Sequence, residues 1–309
     1  MPEVILHHYP PSPVSEKVRK AFGLKGMSWY SVEQNRLPDR PELFAMTGGY
    51  RRIPVMQIGA DIYCDTQCIL RALEEAVPEP SLFPEKTSGL AFGLSRWTDG
   101  PLLDAAVRLA LVPMAESLPP AFAADRARLY FGPDWDYSKE AADLPHTLAQ
   151  LRAQLSWLED ALKRASKYIS GETPGMADLL VWYLIWLIRG RYDGAETFLA
   201  EFSELKAWAG RIEDFGTGHA TEMSPQDALG IAKESQPQTP EGSDPLDPQG
   251  LRPGMRVTIA PIVDSGEAPI EGLVRRTDVN VLTLSHSNTL CGEVAVHFPR
   301  VGYRVHVPA

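Results

Sequence analysis

Three stretches of different character divide the sequence, and they predict an α/β domain, then an all-helical domain, then a small all-β domain. Residues 1–80 alternate strand-like and helix-like segments in the order βαβαββα. Residues 86–234 carry helical periodicity and no convincing strand. Residues 249–309 hold five short runs rich in β-branched residues and parted by glycine and turn residues, the pattern of a small barrel.

Each element follows from local chemistry. Glu3–His8 is an apolar run for a first strand, broken by Pro10 and Pro11. Ser12-Pro13 then reads as an N-cap followed by proline at the first helical position. Val14, Val18, Ala21 and Phe22 recur at helical spacing up to Gly26. Ser28–Val32 is a second strand and Pro41–Met46 a short helix. Pro54–Ile58 and Asp61–Tyr63 flank Gly59-Ala60 as a hairpin, and Asp65 caps a helix carrying Ile69, Leu70 and Leu73 on one face. Val77–Pro84 is a proline-rich linker.

Beyond it, Leu148, Leu151, Leu155, Leu158 and Leu162 make Leu144–Ala165 amphipathic. Ala177–Ile188 is apolar all round and reads as the central helix of a bundle, and Phe202–Ile212 follows as another amphipathic helix. Ser235–Pro248 is polar and proline-rich, the composition of a linker. The five strands of the last part are Arg256–Ile262, Glu271–Arg276, Val279–Ser285, Glu293–Phe298 and Tyr303–Val307.

Composition narrows the partners. A formal charge of −10 gives no electrostatic reason to expect nucleic acid or an anionic membrane. The N-terminal residues lack the basic and apolar regions of a signal peptide, and the apolar run Leu179–Ile188 is about half of what spans a bilayer. Cys64, Cys68 and Cys291 form no metal-ligand or redox pattern and read as free thiols in a reducing cytoplasm. His286, His297 and His306 lack close motif spacing, so they read as surface residues of the small barrel and no metal is expected.

Four local features, in this order and spacing, resemble the glutathione S-transferase superfamily. The first is YPPSPVSEKVRKAFGLKGM, residues Tyr9 to Met27, similar to the turn that carries a catalytic Ser, Cys or Tyr before a helix with a Val-Arg pair, here Val18-Arg19. The second is Arg52-Ile53-Pro54-Val55, similar to the family's cis-proline turn. The third is Asp65-Thr66, where the family usually has Glu/Gln-Ser. The fourth is GETPGMADLLVWYL, residues Gly171 to Leu184, which looks like a helix start with a buried structural aspartate, Asp178. Gly175 stands where the family usually has a capping Ser or Thr. The resemblance covers about the first 235 residues and leaves the last sixty unassigned.

The resemblance implies a thioredoxin-like domain at residues 1–80, a helical domain at 86–234, and glutathione as co-substrate. It implies that Ile53, before Pro54, offers backbone hydrogen bonds to the cysteinyl group. Asp65 pairs with the γ-glutamyl ammonium, Thr66 binds the γ-glutamyl carboxylate, and Arg52 meets the glycyl carboxylate. Read locally, Arg51 and Arg52 are equally a solvated basic turn. Ser12 is equally a plain N-cap, and Ser15 a second serine that packs or caps within the first turn.

As catalytic residue, Ser12 donates a hydrogen bond to the glutathione sulfur. A cysteine-like thiol of pKa ~8.5 is mostly protonated at neutral pH, whereas the thiolate is the nucleophile. Lowering that pKa by ~2 units takes ~2.7 kcal/mol, within reach of a charge-assisted hydrogen bond and a helix N-terminus. Serine cannot form a mixed disulfide, which argues against a reductase. Tyr9 and Trp97 are candidates for the second-substrate pocket, although an aromatic on a helix is also a core residue. Two functions follow: a transferase acting on a small electrophile in detoxification, or a non-catalytic adaptor on the same fold. The family relationship also implies a cytoplasmic homodimer.

Overall fold

The computed structural model describes residues 3–84, 88–164, 167–263 and 265–308. The expected start of the helical region at Lys86, the expected helix end at Ala165 and the terminal Ala309 lie outside them. The chain divides into two compact units, one of Met1–Ser15, Ser28–Val77 and His219–Ala309, the other of Glu16–Met27 and Pro78–Gly218.

The first eighty residues fold in the expected order: β1 (Ile5–His8), α1 (Pro13–Leu24), β2 (Ser28–Glu33), α2 (Pro41–Thr47), β3 (Val55–Ile58), β4 (Asp61–Cys64) and α3 (Thr66–Ala76). Their strands lie in the order β4-β3-β1-β2, with β1 parallel to β2 and antiparallel to β3. All four residues of β1 are buried, as a central strand requires. Helix α2 ends on Gly48 at φ 69°, a left-handed C-cap open to a residue without Cβ.

The second unit is helical: α4 (Ser88–Thr98), α5 (Pro101–Leu111), α6 (Pro120–Phe131), α7 (Tyr137–Ala142), α8 (Leu144–Arg164), α9 (Met176–Arg191), α10 (Ala195–Leu199) and α11 (Ser203–Glu213). Helix α9 packs against α4, α5 and α11, and its apolar surface is buried nearly all round, as its composition predicts. Asp178 holds its start: Oδ2 accepts from the Gly175 amide at 3.0 Å, and Oδ1 from the Ile169 amide at 2.8 Å and the Trp208 indole at 2.7 Å. Asp178 thus takes the N-cap amide, the half of a capping box that needs no side chain at Gly175, while its own amide donates to the Gly175 carbonyl at 3.1 Å.

The chain then returns to the first unit earlier than residue 234. His219–Glu222 forms β5, a fully exposed strand parallel to β2, where the sequence predicts helix. Helix α12 (Pro225–Glu234), capped by Ser224, lays Ala228 against Ile5 and Val32. Nothing in His-Ala-Thr-Glu marks a strand, because it carries no apolar alternation; its pairing comes from the free edge of β2.

The five C-terminal strands are present as β6 (Arg256–Pro261), β7 (Ile270–Thr277), β8 (Val281–Asn288), β9 (Gly292–Pro299) and β10 (Tyr303–His306). They are not a separate barrel. Strand β9 pairs in parallel with β4, and one ten-stranded sheet results, β10-β6-β7-β8-β9-β4-β3-β1-β2-β5. Leu43, Met46, Val55 and Ile62 share one core with Val257, Leu282, Val296 and Phe298. Burying side chains of this size contributes about 1.5–3 kcal/mol each, so both halves depend on the seam.

The stretch expected as a linker, Ser235–Pro248, is laid along this sheet. Asp61 accepts from the Gln238 amide and the Thr239 hydroxyl, both at 2.7 Å, and Asp244 N donates to Thr277 Oγ1 at 3.0 Å. Polar, proline-rich composition conceals such strapping because it leaves no apolar period to read.

Candidate active site

Register gathers the predicted residues at one end of the sheet. His7 pairs with Val55, and Val55 with Cys64. The residues just beyond this row are the loop to Ser12, the Ile53-Pro54 turn, and Asp65-Thr66. Three segments distant in sequence therefore open on the same edge.

Ser12 sits at the N-terminus of α1 and is 3% exposed. Its amide donates to the Tyr9 carbonyl at 3.0 Å, and its Oγ accepts from the Ser15 amide at 3.2 Å. The cap uses an oxygen lone pair and leaves the hydroxyl proton to donate elsewhere. Capping and thiol contact are thus compatible at one side chain. Ser15 differs: it is fully buried, and its hydroxyl has no hydrogen-bond partner among the described residues.

The Ile53–Pro54 peptide is cis. Among the described residues the Ile53 backbone N–H and C=O form no hydrogen bond within the chain. Asp65 has φ 70°, which is uncommon for a residue with a Cβ. Its Oδ1 accepts from the Gln67 amide at 2.9 Å, capping α3. Its Oδ2 accepts from the Tyr303 hydroxyl at 3.2 Å. Tyr50 hydroxyl lies 2.9 Å from Tyr303 hydroxyl and, with the Tyr303 proton spent on Asp65, acts as the donor. Burial pushes both phenols above their ordinary pKa, helped next by Asp65 at Tyr50 and by Tyr50 and then Asp65 at Tyr303, so both stay protonated. Thr66 is buried, yet neither its hydroxyl nor its amide is engaged within the chain among the described residues.

Arg52 is not the solvated basic turn that local reading allows. Its Nε donates to both Glu267 carboxylate oxygens at 2.8 and 3.0 Å, and its Nη2 donates to Glu267 and, at 3.1 Å, to Ser265 Oγ. Ser265 Oγ donates to the same carboxylate. Burial disfavours charge on Arg52, but the hydrogen bonds and charge of Glu267 outweigh it and raise its pKa. The reciprocal holds at Glu267: burial opposes ionisation, and Arg52 overcomes it to hold the carboxyl below its usual range.

The second-substrate candidates stand in different units. Tyr9 is half-buried in the loop before Ser12. Trp97 donates its indole N–H to Gln154 Oε1 at 2.7 Å and packs beside Trp157, both on α8. His297 is not a surface residue: its Nε2 lies 2.9 Å from Asp61 Oδ1, its Nδ1 lies 3.0 Å from Thr283 Oγ1, and Tyr63 stacks on its ring. It joins β9 to β4. His286 is half-buried and His306 exposed. The three cysteines are free and buried, and burial pushes the thiols of Cys64 and Cys68 well up.

Sequence reasoning missed Tyr303, Ser265 and Glu267. Each lies more than two hundred residues from its partner, and no local motif signals the pairing. Among the described residues no helix is long and apolar enough to cross a membrane.

A βαβαββα unit with cis-proline, a capping serine and a helical second unit defines the glutathione S-transferase class. Residues 6–81 match the family "Glutathione S-transferase, N-terminal domain" and residues 119–211 "Glutathione S-transferase, C-terminal domain". Over its full length the chain is 31% identical to a GST-like protein from Pseudomonas syringae, whose crystal structure superposes with a TM-score of 0.83 and is covered completely. The chain belongs to the glutathione S-transferase superfamily.

A glutathione transferase family member from Pseudomonas fluorescens, solved with two glutathione molecules bound, shares the fold at 15% identity and TM-score 0.50, over 68% of this chain and 87% of that one. A probable maleylacetoacetate isomerase 1 from Drosophila melanogaster is 32% identical over 87 residues, which are 26% of this chain. That match spans about a third of the fly protein, 35% of its length.

Proposed function

We propose that the protein binds glutathione, stabilises its thiolate with Ser12 and transfers the glutathionyl group through its sulfur to a small electrophile. The observation that carries this reading is the Ser12 hydroxyl. It caps α1 through its oxygen and keeps its proton for a sulfur at a helix N-terminus, where partial positive charge favours an anion.

The steps balance without a protein base. The thiol proton leaves to solvent as the sulfur becomes S⁻, held by the Ser12 O–H. The sulfur lone pair forms a C–S bond at an electrophilic carbon. A leaving group departs with its electron pair, or the resulting carbanion takes a proton. The Ile53 backbone orients the cysteinyl residue, while Thr66 and Asp65 take the carboxylate and ammonium of the γ-glutamyl end. Tyr9, beside Ser12 in sequence, is the residue assigned to the electrophile. The partial match to a probable maleylacetoacetate isomerase 1 supports keeping isomerisation among the reactions of this site. Redox exchange does not fit, because Ser12 cannot form a disulfide and Cys64 and Cys68 are buried with raised pKa values.

Retention on immobilised glutathione, followed by thiol conjugation with a panel of electrophiles, tests the proposal. Wild type should bind and turn over, and Ser12→Ala should bind with turnover largely lost. Tight binding without Ser12-dependent turnover would favour the adaptor reading. No binding would remove glutathione itself.

A further inference from the structure

Five groups at one edge of the sheet are assigned to glutathione, and they differ in state. The Ile53 backbone and the Thr66 hydroxyl are unengaged among the described residues, and the Ser12 proton is unspent. Asp65 is held by Tyr303 and the Gln67 amide, but carboxylate oxygens accept more than one hydrogen bond. Arg52, the cation assigned to the glycyl carboxylate, already holds a carboxylate. Glu267 takes the side-on edge of the guanidinium, Nε and Nη2, and is 5% exposed. Ser265 bonds both partners and fixes the pair.

A side-on, two-point guanidinium–carboxylate contact is how an arginine would grip a ligand carboxylate. Here a residue of the C-terminal β region makes it. A second carboxylate at Arg52 would meet a guanidinium whose charge Glu267 already matches, and would lie beside that negative charge, although Arg51 adds a second positive charge that also acts on Glu267. Like charges so placed repel.

We infer that Glu267 takes the place of a ligand carboxylate at Arg52, so that the site selects γ-glutamyl-cysteinyl thiols whose third residue ends in a neutral group, such as an amide or ester, over glutathione with its free glycyl carboxylate. This inference rests on the proposed glutathione-type site. It gives the β6–β7 segment a role in substrate choice.

The test compares Kd for glutathione and for its glycyl monoethyl ester by isothermal titration, using the full-length protein and Glu267→Gln. Wild type should bind the ester at least as tightly as glutathione. Glu267→Gln should tighten glutathione by about tenfold, the effect of relieving one like-charge contact, and leave the ester within about twofold. A merely structural Glu267 would weaken both ligands alike, and that result would overturn the inference. If Glu267→Gln fails to fold, the wild-type pair still decides: glutathione binding measurably tighter than its ester would overturn it. Binding of neither ligand to wild type would instead remove the proposed function and this inference with it, an outcome distinct from a reversed preference.

Discussion

The Ser15 amide donates to Ser12 Oγ at 3.2 Å, so the residue proposed to meet a thiol is also the N-cap of the helix whose terminus would polarise it. Structural and chemical readings of Ser12 therefore coincide. The cap orients the hydroxyl oxygen, and under the proposed function its proton goes to the sulfur.

Tyr303 ties the C-terminal strands to Asp65, and this contact is testable by one atom. Tyr303→Phe removes the hydroxyl that Asp65 accepts from and that Tyr50 donates to. Losing these buried bonds should cost about 1–3 kcal/mol in urea denaturation. Under the proposed function, KM for the γ-glutamyl thiol should rise several-fold with kcat nearly unchanged, because Asp65 binds and Ser12 reacts. A fall in kcat alone would place Tyr303 elsewhere in the mechanism.

His7 makes stability depend on pH. It is fully buried between Gln57 and Gln34, and burial lowers its pKa from 6.5 to about 4. Between those values the unfolded chain binds a proton that the folded chain refuses. The contribution is whole above pH 6.5 and is lost as pH falls toward 4, about 3 kcal/mol in all. Chemical denaturation across this window should show a shallower pH slope for His7→Gln than for wild type. Equal slopes would mean that His7 titrates normally in the fold.

The shared sheet predicts what truncation does. A chain stopped after Glu234 loses Val257, Leu282, Val296 and Phe298 from a core that includes Val55 and Ile62. It should lose its near-ultraviolet circular dichroism and elute as an expanded or aggregated species. Asp61→Ala should act in the same direction, since it leaves the Gln238 amide, the Thr239 hydroxyl and His297 without their acceptor. A well-folded truncated chain would show the C-terminal strands to be an appendage.

Much of this was legible in the sequence. The cis-proline turn and the structural Asp178 were legible through the family resemblance, Asp178 also reaching Trp208 thirty residues on. The βαβαββα order and the Asp65 cap depend on neighbours within a few residues, and local pattern carries them. The five C-terminal strands were legible as strands for the same reason. Their partner was not. Parallel pairing of β9 with β4 joins residues more than two hundred positions apart, and alternation along a strand says which face is buried but not which edge is shared. Strand β5 lacks even the alternation. Arg52 shows the same limit at the site: its side chain and place were readable, whereas its partner Glu267 is fixed only by the fold.

The central claim is that Ser12 stabilises a thiolate, and the direct measurement is the pH titration of the thiolate ultraviolet absorbance of bound γ-glutamyl thiol. Wild type should lower the thiol pKa by ~2 units from ~8.5, and Ser12→Ala should return most of that shift while losing ~1 kcal/mol of stability as a missing cap. An unchanged titration in a folded Ser12→Ala protein that still binds the thiol would contradict the account and leave Ser12 as a cap alone.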